Sequence, residues 1–193
     1  MKSQKPLFHR RSIRLKNYDY TQAGAYYITL CSHHFQHLFG TINQGEMQLS
    51  SLGQIVQNEW LKTAIMRPTI RLGAFIIMPN HLHGILEIIE NDNKGTAFEK
   101  ETKEFISLPD RGRLRTEQYG ESISGSIPTI IRSLKATVTK QINILRGTPG
   151  VLVWQRNYWE WVIRNEAEYQ KFSAYIQNNP AKWELDRFRF ENP

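Results

Sequence analysis

Hydrophobic and polar positions change period several times along the chain of 193 residues. Ala25 to Ser32, AYYITLCS, is a nearly unbroken run of aromatic and β-branched residues, the composition of a strand. Thr41 to Ser50 sets short extended pieces on either side of Gly45 and predicts a hairpin. From Ser51 to Met66 the apolar positions Leu52, Ile55, Val56, Trp60 and Leu61 recur near helical spacing, predicting a first helix. Thr69 to Met78 and His81 to Glu90 are apolar strands separated only by Pro79 and Asn80, a break short enough for antiparallel neighbours. Proline cannot donate to a ladder, so Pro79 belongs in the turn or a bulge.

Residues 91–122 have mixed charge, few large apolar side chains and no sustained period. That length exceeds a compact connection and predicts a mobile insertion or flap. Helical spacing resumes from Ser124 to Arg146 through Ile127, Ile130, Ile131, Leu134, Val138 and Ile142, with Ser126 as cap and Pro128 in the first turn. Val151 to Ile163 is strand-like, with a break expected at Gln155 to Asn157. Asn165 to Pro180 has legible ends: Asn165 as N-cap, Glu168 as capping-box partner and Pro180 as the stop. After Pro180, a tail of aromatics and charges is expected to pack across the sheet. Strands and helices in this order predict an α+β fold, with helices packed on a central antiparallel sheet.

Composition narrows the classes. Hydrophobic residues make up 40% of the chain, and no apolar run approaches the roughly 18 residues of a membrane helix. The basic N-terminus lacks the apolar core of a signal peptide. A single cysteine, Cys31, excludes an intrachain disulfide and a Cys-rich zinc site, and agrees with a reducing, cytoplasmic setting. It reads as a small buried strand residue.

The net charge of +7 suits an anionic partner. Lys2, Lys5, Arg10, Arg11, Arg14 and Lys16 crowd residues 1–22 against Asp19 alone. Arg132, Lys135, Lys140 and Arg146 occupy residues 126–146 without an acid. Both clusters suit contacts to phosphates, and solvated surfaces explain such clusters as well. Trp154, Tyr158, Trp159 and Trp161 are candidates either for stacking on unpaired bases or for the core, with Arg156 and Arg164 as flanking phosphate contacts.

Candidate chemistry centres on His81-Leu82-His83. Alternate residues of a strand share a face, so the two imidazoles converge, and neutral imidazole is a good ligand for divalent metals. Two surface or core histidines are the plain alternative. Glu87 shares their parity, which suits either a role orienting or assisting the site or, as expected here, a solvated strand end. His33, His34 and His37 lack a common face and read as loop residues. On the last helix, Tyr169, Phe172 and Ile176 form an apolar stripe, with Tyr175 and Asn179 together along its border. If that stripe packs on the strand with His81 and His83, a phenol and a carboxamide oxygen reach the imidazoles.

The HLH triplet after MPN, the segment WQRNYWEWVIRNEAEY and the ending YIQNNPAKW resemble the IS200-like single-tyrosine HUH transposases, above all their REP-associated branch. The resemblance runs from Ala25 to about Trp183, with 1–24 as a basic arm, 184–193 as a tail and a less familiar stretch at 91–122. It implies a ferredoxin-like HUH endonuclease fold. It also implies Tyr175 as nucleophile, His81, His83 and Asn179 as metal ligands, and single-stranded DNA beside a hairpin as substrate. Strand cleavage and rejoining would pass through a 5′-phosphotyrosine. Two imidazoles and an amide leave open positions, favouring Mg²⁺ or Mn²⁺ over a closed zinc site. Arg10, Arg11, Arg14, Arg132, Lys135, Lys140, Trp154, Arg156, Tyr158 and Arg164 are the expected DNA contacts. The sequence leaves open a monomer or homodimer, and a site completed within one chain or by the helix of another. Two other classes account for part of the pattern: a catalytically inactive single-stranded nucleic-acid-binding module, and a metal-dependent phosphodiesterase with a water nucleophile.

Overall fold

The computed structural model describes residues 18–90 and 123–189. Arg10, Arg11 and Arg14, the 91–122 segment and residues 190–193 lie outside the described residues. The strands are β1 (Gly24–Cys31), β2 (Gly40–Asn43), β3 (Glu46–Leu49), β4 (Ile70–Met78), β5 (His81–Ile88) and β6 (Trp159–Ile163). The helices are α1 (Ser51–Ile65), α2 (Ile127–Arg146) and α3 (Glu166–Asn178), with 3-10 turns at His33–Phe35 and Pro180–Leu185.

The main sheet has the order β4-β5-β1-β6, and every neighbouring pair is antiparallel. With the β2-β3 hairpin set aside as an insertion, the chain runs β1-α1-β4-β5-α2-β6, which is the ferredoxin-like arrangement. The fold is therefore α+β, as the alternation of periods predicts. No helix among the described residues is long and apolar enough to cross a membrane.

Strand alternation divides the interior. On one face Tyr26, Ile28 and Leu30 of β1 and Leu82 and Leu86 of β5 join Val56 and Trp60 of α1 and the apolar stripe of α2 in the larger core. On the other, Ile85 and Ile163 pack with Tyr169 and Ile176 of α3, against Ala25, Tyr27 and Phe172. Gly84 makes the first face possible: a Cβ there would lie 2.3 Å from Cζ2 of Trp60, whose indole covers the strand. His81 and His83 have the parity of Ile85, so they face α3.

The ends of the helices follow their local chemistry. Ser50 accepts from Gly53 N (3.1 Å) and Ser126 from Thr129 N (3.4 Å). Asn165 accepts from Glu168 N at 2.8 Å. The reciprocal half of the expected capping box shifts by one residue, because Glu168 accepts from Arg164 N (3.0 Å) rather than Asn165 N. Glu87 is also bonded, accepting from the Tyr169 hydroxyl at 2.6 Å.

Only the second half of the strand-like 151–163 segment forms a strand. Trp154 makes a single bridge to Ser32. The break has a physical cause in Lys135 of α2, whose Nζ donates to the carbonyls of Gln155, Arg156 (3.1 Å) and Asn157 (3.5 Å) and ties this piece to the helix.

Candidate active site

β5 begins at the Pro79-Asn80 turn, so His81 and His83 stand at the end of an inner strand. Both are fully buried, with ring centroids 4.5 Å apart. The Asn80 amide nitrogen donates to the carbonyls of Phe35 (3.0 Å) and Phe188, which fixes the amide orientation. Its oxygen then lies 2.8 Å from Nδ1 of His81 and accepts the proton there. Nε2 of His81 is left as a bare lone pair. On His83, Nδ1 meets the hydroxyls of Tyr27 (2.7 Å) and Thr29 (2.8 Å).

Burial holds the His81 pKa down to about 3, with Arg187 and His37 adding to the effect. Burial, then His81 and Arg187, depress His83 well below the usual imidazole value. Both rings are neutral at physiological pH, the form that binds metal.

α3 places the Tyr175 hydroxyl 3.5 Å from Nε2 of His83 within the same chain. The side chain is 43% exposed, so the phenol is open to a large substrate. Burial of its inner half and the Asp186 carboxylate raise its pKa, opposed by Arg187 and the Asn179 side chain. Asn179, one turn further on, is buried, and its Oδ1 has no hydrogen-bond partner.

Asp186 is a site residue with no counterpart among those expected from the sequence. The 3-10 turn Pro180–Leu185 buries Trp183, and the chain then lays Phe188 against His81, ring centroids 5.0 Å apart. Oδ1 of Asp186 accepts from Phe188 N at 2.7 Å, while Oδ2 lies 3.9 Å from Nε2 of His81. Ligand atoms of His81, His83 and Asp186 all fall within 4.8 Å of one another. A usable signal was the pair of acids between Trp183 and Phe188, since a carboxylate held among buried aromatics requires a partner; the structure buries Asp186 and leaves Glu184 exposed.

These residues fit a divalent cation. Nε2 of His81 and Oδ2 of Asp186 are buried electron-pair donors 3.9 Å apart. A cation between them would satisfy both. The orphaned Asn179 oxygen adds a hard ligand of the kind magnesium and manganese prefer. A half-open cleft of ≈ 260 Å³ beside these groups is lined by Tyr175, Asn179, Lys182, Asp186 and Arg187.

The expected DNA contacts are dispersed. Arg132, Lys140, Arg156 and Arg164 are exposed. Lys135 is occupied by the 155–157 carbonyls, and its burial lowers its pKa to about 8. Trp154 is buried in the larger core beside Phe39, and Tyr158 packs against that core. His33, His34 and His37 stay in the connection after β1. Cys31 is buried in β1, where burial pushes its thiol up to about 12.

Asn80→Ala removes the acceptor that selects the His81 tautomer. We expect Mn²⁺ affinity to fall about 10- to 100-fold, the usual loss when the partner of a metal-binding histidine is removed. Isothermal titration calorimetry measures it directly.

No protein-family model matches the chain. A Haemophilus influenzae protein described as uncharacterized is 41% identical over 181 residues, covering 94% of this chain and 93% of the relative. The chain belongs to the same family as this Haemophilus protein. Among solved structures, it is similar to a REP-associated tyrosine transposase bound to a REP hairpin. That similarity has a TM-score of 0.49 and 20% identity, and covers 84% of this chain and 70% of the other. It is also similar to a candidate transposase from Deinococcus radiodurans, with a TM-score of 0.44 and 12% identity, covering 81% and 91% of the two chains.

Proposed function

We propose that this protein is a metal-dependent, single-tyrosine DNA transposase that cuts and rejoins single-stranded DNA. The observation that carries the reading is the Tyr175 hydroxyl, half-exposed and 3.5 Å from a buried neutral histidine, beside donors arranged for a cation. The resemblance of the MPNHLH, WQRNYWEWVIRNEAEY and YIQNNPAKW segments to HUH transposases points the same way.

Tyr175 Oη attacks the phosphorus of a phosphodiester in the cleft. The Oη–P bond forms, the P–O3′ bond breaks, and the proton lost by the phenol is balanced by the one the 3′ oxygen takes up. The product is a 5′-phosphotyrosine and a free 3′ hydroxyl. The ester conserves the phosphodiester, so a 3′ hydroxyl can reverse the step without ATP. Asn179 steadies the phenol, while Arg187 and Lys182 offer positive charge along the cleft. His81, His83 and Asp186, with the Asn179 oxygen, would hold Mg²⁺ or Mn²⁺, which supplies charge stabilisation at the phosphate when bound. The substrate is single-stranded DNA with a hairpin, held in part by Arg132, Lys140, Arg156 and Arg164 and by the basic arm with Arg10, Arg11 and Arg14.

The test uses end-labelled single-stranded hairpin oligonucleotides drawn from repeats flanking the gene, with Mn²⁺, resolved on a denaturing gel. A covalent protein–DNA band is expected, and EDTA or His81→Ala should abolish it. Hairpin binding with no adduct would favour an inactive binding module. Multiple-turnover hydrolysis with no adduct would point to water as the nucleophile.

A further inference from the structure

β6 is an edge strand of the main sheet, and its odd-numbered residues share the face that carries the histidines. The register places His83, Thr29 and Trp159 in one row across three strands, with Trp161 two residues further along beside Tyr27. At about 4.8 Å per strand, Trp159 stands roughly 10 Å from His83. Both indoles are half-exposed, Trp159 at 54% and Trp161 at 50%, although each is large enough to have filled a core position. The guanidinium of Arg187, which also lines the Tyr175 cleft, lies 6.0 Å from the Trp159 ring centroid. Phe172 and Glu168 hold Trp161 in place, the carboxylate accepting its indole N–H at 3.4 Å. Trp154 and Tyr158, by contrast, belong with the core on the opposite side.

We infer that Trp159 and Trp161 form a stacking platform for unpaired nucleobases adjoining the scissile phosphate, with Arg187 linking platform and cleft. The inference rests on the strand-transfer reading of the Tyr175 site. Two features select a single strand as the occupant. Residues i and i+2 of a strand are about 6.7 Å apart, roughly twice the 3.4 Å rise per nucleotide of a duplex strand, so the indoles match bases splayed apart and not a stacked helix. The cationic neighbours, Arg187 beside Trp159 and Lys182 in the cleft, complement the phosphates between those bases.

The remaining tryptophans make the test direct. The chain has five in all, and Trp60, Trp154 and Trp183 are buried, leaving Trp159 and Trp161 exposed. Intrinsic fluorescence of the full chain is titrated with a thymidine oligonucleotide and, separately, with a blunt duplex, both in EDTA so that no cleavage occurs. The single strand should quench emission and the duplex should not. Trp159→Ala should remove most of the quenching and weaken single-strand binding about 5- to 100-fold, while Trp159→Phe recovers much of the affinity. Unchanged affinity in both Trp159→Ala and Trp161→Ala, with circular dichroism showing native folding, would overturn the platform, as would equal quenching by the duplex. Metal-dependent adduct formation is scored separately. If it survives in Trp159→Ala and Trp161→Ala with unaltered binding, the platform fails and strand transfer at Tyr175 stands. If single strands quench the wild type but no adduct forms, strand transfer fails and the two indoles stand as a base-binding surface.

Discussion

Tyr175→Phe is expected to eliminate the covalent adduct while leaving hairpin binding and Mn²⁺ affinity within about twofold of wild type. Loss of a nucleophile costs far more than loss of a supporting group, so adduct formation should fall by roughly 10⁴-fold or more. The fold should scarcely notice. The ring is 43% exposed and its hydroxyl meets only the Asn179 side chain and, at 3.5 Å, His83, so the stability change should stay within about 1 kcal/mol. Tyr27 is the internal control, because its hydroxyl lies 2.7 Å from the other nitrogen of His83. Burial raises its pKa, and it is packed under Phe172, with the rings stacked at 4.4 Å, so a phosphate cannot approach it as it can Tyr175. Tyr169 is committed to Glu87. Peptide mapping of the adduct therefore decides between the phenols: DNA on Tyr27 would show that the wrong one has been named, and DNA on Tyr175 fixes the nucleophile.

Local chemistry made much of this architecture legible. Asn165 with Glu168 announced the start of α3, the two-residue break at Pro79-Asn80 announced an antiparallel pair, and strand parity put both histidines on one face. The meeting of α3 with β5 was a conditional, since it joins residues 92 positions apart and nothing local specifies it. Asp186 was less visible still. It follows a short 3-10 turn, outside any periodic element, and reaches the site because Trp183 and Phe188 anchor the chain on either side of it. The aromatic segment shows the limit of composition most clearly. Trp154 and Trp159 look equivalent in sequence, but Lys135 captures the carbonyls between them, so Trp154 belongs to the core while Trp159 lies half-exposed at the sheet edge.

The metal-free protein should lose stability steadily as pH falls from 6.5 toward 3. An unfolded histidine takes up its proton near 6.5, whereas folded His81 resists it down to about 3. In that window the unfolded state binds the extra proton, so unfolding becomes easier as pH drops, and below about 3 the difference saturates. At pH 5 His81 alone accounts for a loss of about 2 kcal/mol relative to pH 7.5, and His83 shifts in the same direction. Urea unfolding in EDTA at pH 7.5, 6 and 5 measures the slope. His81→Gln should flatten it by about that amount, which separates this imidazole from acid-sensitive carboxylates elsewhere. Manganese adds a second constraint. Because folded His81 is already neutral at pH 5, the ion needs to displace no proton from it there. The Mn²⁺ Kd measured by calorimetry should thus be nearly the same at pH 5 as at pH 7.5. A flat profile in EDTA would mean that both rings charge freely in the folded state. Their burial would then not be what prepares them for the metal.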